Sequence, residues 1–141
     1  CFGVGIGFAA FAYPVAIPPH LVRHIAPVDF IVRSAAKAAE PGLLVMADDR
    51  MTVATSWALR SEEIGVYRKK GELAYGLDRP EGRGRFYPPE RLKELVEEGV
   101  RPILVVTGSD KRVREMPSVP GRSVYSSGGV YLVHYRPRGE K

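Results

Sequence analysis

The first 22 residues, CFGVGIGFAAFAYPVAIPPHLV, contain no Lys, Arg, Asp or Glu, whereas the remainder of the chain alternates apolar clusters with charge. An apolar helix of roughly 18 residues, rising about 1.5 Å each, spans on the order of 27 Å, close to a bilayer's hydrocarbon core. A core helix of that length would show a polar face, and this segment shows none. A signal peptide needs a basic stretch ahead of its apolar core, and nothing precedes Cys1. The pattern predicts the end of a transmembrane helix over residues 1–19, in a chain that starts with Cys and continues a longer membrane protein. Gly3, Gly5 and Gly7 suit close helix packing in a membrane better than a nucleotide loop, since no strand precedes them.

Beyond the prolines at 14, 18 and 19, the spacing predicts a helix from Pro27 to about Ala39. Val28, Ile31, Val32, Ala35 and Ala39 form its inner face, with Arg33 and Lys37 outside. Residues 43–47, LLVMA, read as a short buried strand, and Asp48 or Asp49 as the cap of a helix reaching Leu59. That helix would turn Val53, Ala54, Trp57 and Ala58 inward. Residues 64–67 read as a second strand, parallel to the first, and residues 72–76 as its hairpin partner after a Lys69-Lys70-Gly71 turn. Residues 77–86 read as a surface loop, and Pro89 starts a helix that buries Leu92, Leu95 and Val96 and stops at Gly99. A third buried strand over 102–107, a short helical turn after Ser109 or Asp110, and a hairpin over 123–135 complete the pattern. These elements predict an α/β fold: a three-layer domain with a mixed sheet and a C-terminal hairpin, preceded by the end of the membrane helix. The expected division is residues 1–19 in the membrane, 20–42 as a juxtamembrane segment and helix, and 43–141 as a soluble domain.

The net charge of +5 in 141 residues changes little, because the basic residues are scattered among acids. Nucleic-acid binding needs a concentrated basic stripe with interleaved aromatics, and none is present. A single Cys excludes an internal disulfide framework and any multi-cysteine metal site.

Candidate chemistry is sparse. Asp48 and Asp49 lie at the C-terminal end of a central strand, where open α/β sheets place ligands, although a helix cap is the favoured reading of one of them. Residues 107–111, TGSDK, follow a strand like an anion-binding turn but lack phosphate-loop spacing, so a capped turn is favoured. His20 and His24 have no third ligand, and His134 is expected at a surface or half-buried position. Ser56, Ser126 and Ser127 have no sequence context that supplies a base. Tyr75 is positioned to stack on a sugar, yet an aromatic in a strand is more often core. No catalytic or metal-binding residue is assigned.

The run Gly71-Glu72-Leu73-Ala74-Tyr75-Gly76-Leu77-Asp78-Arg79-Pro80, continuing to Arg85-Phe86, resembles the C-terminal domain of the bacterial aminoarabinose lipid A transferases. Those belong with the polyprenyl-phosphate-dependent membrane glycosyltransferases. Ser56-Trp57-Ala58-Leu59-Arg60 and Val130-Tyr131-Leu132-Val133-His134-Tyr135-Arg136-Pro137 extend the likeness, which runs from about Leu43 to Pro137. Arg79 stands where the pattern has an aromatic, and Gly82-Arg83-Gly84 is more basic than the pattern. The resemblance implies an inner-membrane enzyme with a periplasmic tail, moving an aminoarabinose-type sugar from undecaprenyl phosphate to lipid A. It places the catalytic acids and a divalent metal site before residue 1, with no cofactor in this stretch. Its partners would be the lipid-linked sugar, lipid A and the membrane, without nucleic acid. A related transferase with another acceptor, or a non-catalytic membrane-tethered periplasmic binding module, is the alternative.

Overall fold

The computed structural model describes residues 27–139; the expected membrane helix, His20 and His24 lie outside them. Five helices and six strands follow in order: α1 (Val28–Lys37), β1 (Leu44–Asp48), α2 (Thr52–Leu59), β2 (Gly65–Tyr67), α3 (Ala74–Leu77), β3 (Phe86–Tyr87), α4 (Pro89–Glu98), β4 (Ile103–Thr107), α5 (Asp110–Glu115), β5 (Arg122–Ser127) and β6 (Val130–Tyr135). Two 3₁₀ turns, Gly71–Leu73 and Pro80–Gly82, flank α3.

The strands form one sheet in the order β3-β2-β1-β4-β6-β5. The first four are parallel, and β6 and β5 add antiparallel pairs at one side. From β1 the chain steps outward through β2 to β3, then returns to place β4 on the other side of β1. The carboxyl ends of β1 and β4 therefore flank a topological switch point, the usual ligand position in open α/β sheets.

Burial follows from the two-residue period of a strand. On one face Met46, Ile103, Val105 and Val133 pack with Leu92, Leu95 and Val96 of α4 and Val113 of α5. On the other, Ala47, Leu104, Val106 and Leu132 pack with Ile31, Ala35 and Ala38 from α1 and its C-terminal end, and with Ala58 and Leu59 of α2. The three layers and the mixed sheet match the sequence reading, and so do α4 with its Gly99 stop and the closing hairpin. In that hairpin Ser126 and Ser127 belong to β5, and only Gly128 and Gly129, both at positive φ, make the turn.

Several expectations need correction. Helix α1 is rotated from the predicted face: Ile31, Ser34 and Ala35 are buried, while Val28 and Val32 are exposed. Helix α2 turns Thr55 inward, and leaves Val53 58% and Trp57 79% exposed. Its sequence, TVATSWAL, has no charge and scatters hydroxyls among apolar residues, so it offers no clear periodicity to read. Residues 72–76 are not a hairpin strand; they coil through a 3₁₀ turn into α3. The supposed loop of residues 77–86 contains a 3₁₀ turn and runs into β3, an edge strand of two residues parallel to β2. His134 is buried on β6, 1% exposed, and its Nε2 has no hydrogen-bond partner; Glu40 Oε1 lies 3.9 Å away. Burial pushes its pKa down, Glu40 opposes that shift, and Arg136 adds to it.

The segment from 71 to 85 is held compact by a backbone contact. A Cβ on Gly82 would lie 2.2 Å from the Gly76 carbonyl oxygen and 2.6 Å from Leu77 Cα, whereas a Cβ on Gly76 would meet nothing within 4 Å. Gly82→Ala is accordingly expected to cost about 1–3 kcal/mol by overpacking. Gly76→Ala should be neutral or stabilise by up to about 1 kcal/mol. Denaturant melts of the two variants test this, and equal effects would contradict it.

Candidate functional site at the carboxyl edge of the sheet

At the switch point, Asp48 ends β1 and is 1% exposed. A buried carboxylate is tolerated only where charge and hydrogen bonds replace water. Here three hydrogen bonds and one ion pair do so. Thr107 Oγ1 donates to Asp48 Oδ2 at 2.7 Å, the Gly108 N–H donates to the same oxygen at 3.1 Å, and the Met51 N–H donates to Oδ1 at 3.0 Å. Arg112 Nη1 lies 2.6 Å from Oδ2 and also reaches Asp49 Oδ1 at 3.3 Å. One side chain thereby ties β1 to the end of β4, to the turn into α2 and to α5.

The neighbours are built for this arrangement. Ser109 caps α5 by accepting the Arg112 N–H, which orients the helix that carries the guanidinium. The capped-turn reading of residues 107–111 therefore holds. Asp48 is not the N-cap of α2; Met51 is, and the carboxylate acts one turn earlier through the Met51 N–H. Asp49 is 21% exposed at its side chain and packs against Gly71. A Cβ on Gly71, which has φ +52°, would sit 3.0 Å from Asp49 Cβ, so this glycine admits the close approach. The Gly-Glu-Leu block thus meets the carboxyl edge through its first residue.

Tyr75 is away from this cluster. It is 73% exposed, and the Arg79 guanidinium lies 4.5 Å from its ring centroid, a cation–π stack at the surface. The core reading of Tyr75 is thereby corrected, since residues 74–77 are helical and the ring has no sheet to pack on. Among the sequence candidates, Asp48 and Asp49 are brought together, and Tyr75 is not.

Beside the carboxylate cluster opens a cleft of about 490 Å³, lined by Tyr67, Glu90, Lys93, Glu97, Glu115 and Val119 among others. Glu115 is paired with Arg68, whose hydrogen bond holds the carboxyl below its ordinary pKa. Burial raises the Tyr67 phenol, with Arg68 opposing. Burial also pushes Tyr135 up to about 12, and its hydroxyl donates to the Pro117 carbonyl at 3.0 Å. Sequence reasoning missed Arg112, Thr107 and this cleft, because they join across the fold between segments remote in the chain.

Chemically, Asp48 is committed. Two hydrogen bonds and the Arg112 ion pair on Oδ2, with one hydrogen bond on Oδ1, tie it to the protein's own groups. Among the described residues no group of three or more His, Cys, Asp or Glu is arranged to hold a metal ion.

The profile that fits residues 22–134 is described as "Arabinosyl transferase ArnT, C-terminal domain", and it covers most of the chain. This chain belongs to that family. Among curated proteins, it is 27% identical over 113 residues to the undecaprenyl phosphate-alpha-4-amino-4-deoxy-L-arabinose arabinosyl transferase of Aeromonas hydrophila, covering 77% of this chain and 21% of that protein. It is 29% identical to the protein of that name from Pseudomonas savastanoi, covering 83% of this chain and 23% of the relative. With arabinosyl transferase 1 of Pseudomonas fluorescens the identity is 29% over 138 residues, covering 92% of this chain and 24% of the relative. The chain therefore spans about a fifth to a quarter of the length of these relatives. No solved structure matches it.

A structural role for Asp48 separates it from its neighbour. Asp48→Ala is expected to cost about 3–5 kcal/mol, since it strands a partly buried guanidinium and a buried hydroxyl. Asp49→Ala, at a part-exposed ion pair, should cost about 1 kcal/mol or less. Urea unfolding of both variants checks the contrast, and a stability-neutral Asp48→Ala would contradict it.

Proposed function

We propose that this chain is the C-terminal part of an inner-membrane glycosyltransferase that moves an aminoarabinose-type sugar from undecaprenyl phosphate to lipid A. The observation that carries this reading is the fit of the ArnT C-terminal profile over residues 22–134. Relatives named as undecaprenyl phosphate-aminoarabinose arabinosyl transferases support it. On this reading residues 1–19 are the end of the last membrane helix, residues 20–42 join it to the domain, and residues 43–141 lie in the periplasm. No helix among the described residues is long and apolar enough to cross a membrane.

The role of this part is architectural. Its best candidate acid, Asp48, is held by three hydrogen bonds and an ion pair. On this reading, as the family resemblance implies, the reacting groups belong to the portion of the enzyme before residue 1. Transfer of the cationic sugar would lower the negative charge of the outer surface, which cationic antimicrobial peptides seek.

The test is genetic and chemical. The longer protein containing this chain is expressed in a strain that lacks its own aminoarabinose transferase. Lipid A should gain the mass of the amino sugar and the cells should gain resistance to cationic peptides. The stretch from residue 27 onward, expressed alone, should transfer nothing. Accumulation of the longer protein in the inner membrane with unmodified lipid A would overturn the assignment of donor and acceptor.

A further inference from the structure

Helix α2 poses a problem that the fold leaves open. Its eight residues contain no charge, and large apolar side chains left exposed on an uncharged helix mark a surface that meets something. The inner side packs on the sheet through Ala58 and Leu59. The outer side exposes Val53 and Trp57, one turn apart, at 58% and 79%. Helix α1 packs beside α2 and exposes Val28 and Val32, again one turn apart. A shallow hollow of about 530 Å³ along α2 is lined by Val53, Trp57 and Leu73 together with Ser56, Arg60 and Glu62. Val100 and Val124, the other exposed valines, lie outside this helical layer.

We propose that the outer face of α1 and α2, centred on Trp57, rests on the surface of the lipid bilayer. The inference rests on the membrane reading of residues 1–19 given above. Two observations choose the bilayer as occupant. The uncharged residues 1–22 end five residues before Pro27, which leads directly into α1, so the chain itself holds this helical layer near any membrane that those residues enter. The chemistry of the face also suits the headgroup boundary. Trp places an apolar body with one N–H donor there, the valines supply depth, and Arg60 at the end of α2 reaches to phosphate with its stem along the apolar patch. Arg50, at the other end of α2, is likewise exposed.

Trp57 is the chain's single tryptophan, so its fluorescence reports on this face alone. The chain of residues 1–141 is reconstituted in vesicles of phosphatidylethanolamine and phosphatidylglycerol, with and without bromine on the acyl chains. Emission should shift to shorter wavelength on reconstitution and lose most of its intensity in the brominated vesicles. Val53→Glu, a change at an exposed position that keeps the fluorophore, should restore much of that intensity. If the chain floats with the vesicles but Trp57 emits as in water and is quenched by acrylamide, the face is wrong and the membrane reading stands. A blue shift without bromine quenching would mean that protein covers Trp57, which also overturns the proposal. If the chain does not associate with vesicles at all, the membrane reading falls with it.

Discussion

The carboxylate of Asp48 is the constraint around which the domain is organised. Placed at the end of a central parallel strand and removed from water, it is held by hydrogen bonds from Thr107, Gly108 and Met51 and by the Arg112 ion pair. These partners come from three structural units, so satisfying one charge fixes all three. The β1–β4 junction, the turn into α2 and the direction of α5 are set together. The place where an α/β sheet usually opens to a ligand is closed here by the protein's own arginine.

Asp49 and Gly71 bring the 71–85 segment against the same edge, and the close approach of Gly82 to the Gly76 carbonyl packs that segment tightly. The features that face outward on this side are of another kind: an uncharged helix with an exposed Trp, and a Tyr stacked under Arg79. The outer faces of α4 and α5, by contrast, are charged.

Elements dictated by local rules were legible in the sequence. The LLVMA and PILVVT runs had to be buried strands, and α4 carried a proline start, a helical period and a glycine stop. What failed has a physical reason in each case. Strand β3 has two residues, too few for any period to register. Residues 72–76 follow a Lys69-Lys70-Gly71 turn and so read as a hairpin partner, but Gly71, at positive φ, opens a 3₁₀ turn that leads them into a helix. An uncharged helix without a clear period gives no sign of which side faces in, so Trp57 was turned the wrong way. His134 is buried because β6 lies between β4 and β5, which the chain order alone does not state. Asp48 was visible as a candidate, but its partner Thr107 is 59 residues away in the chain. No local pattern connects them, and only the adjacency of β1 and β4 does.

The central claim is that the Asp48–Arg112 pair acts as one unit with the strand ends it joins. A double-mutant cycle with Asp48→Ala and Arg112→Met, read by urea unfolding of the domain, measures this directly. Residues in one buried network couple by about 0.5–3 kcal/mol, and the account predicts a coupling near the upper end of that range. Additive losses, with a coupling below about 0.3 kcal/mol, would contradict it and show that the two side chains are neighbours without being a clasp.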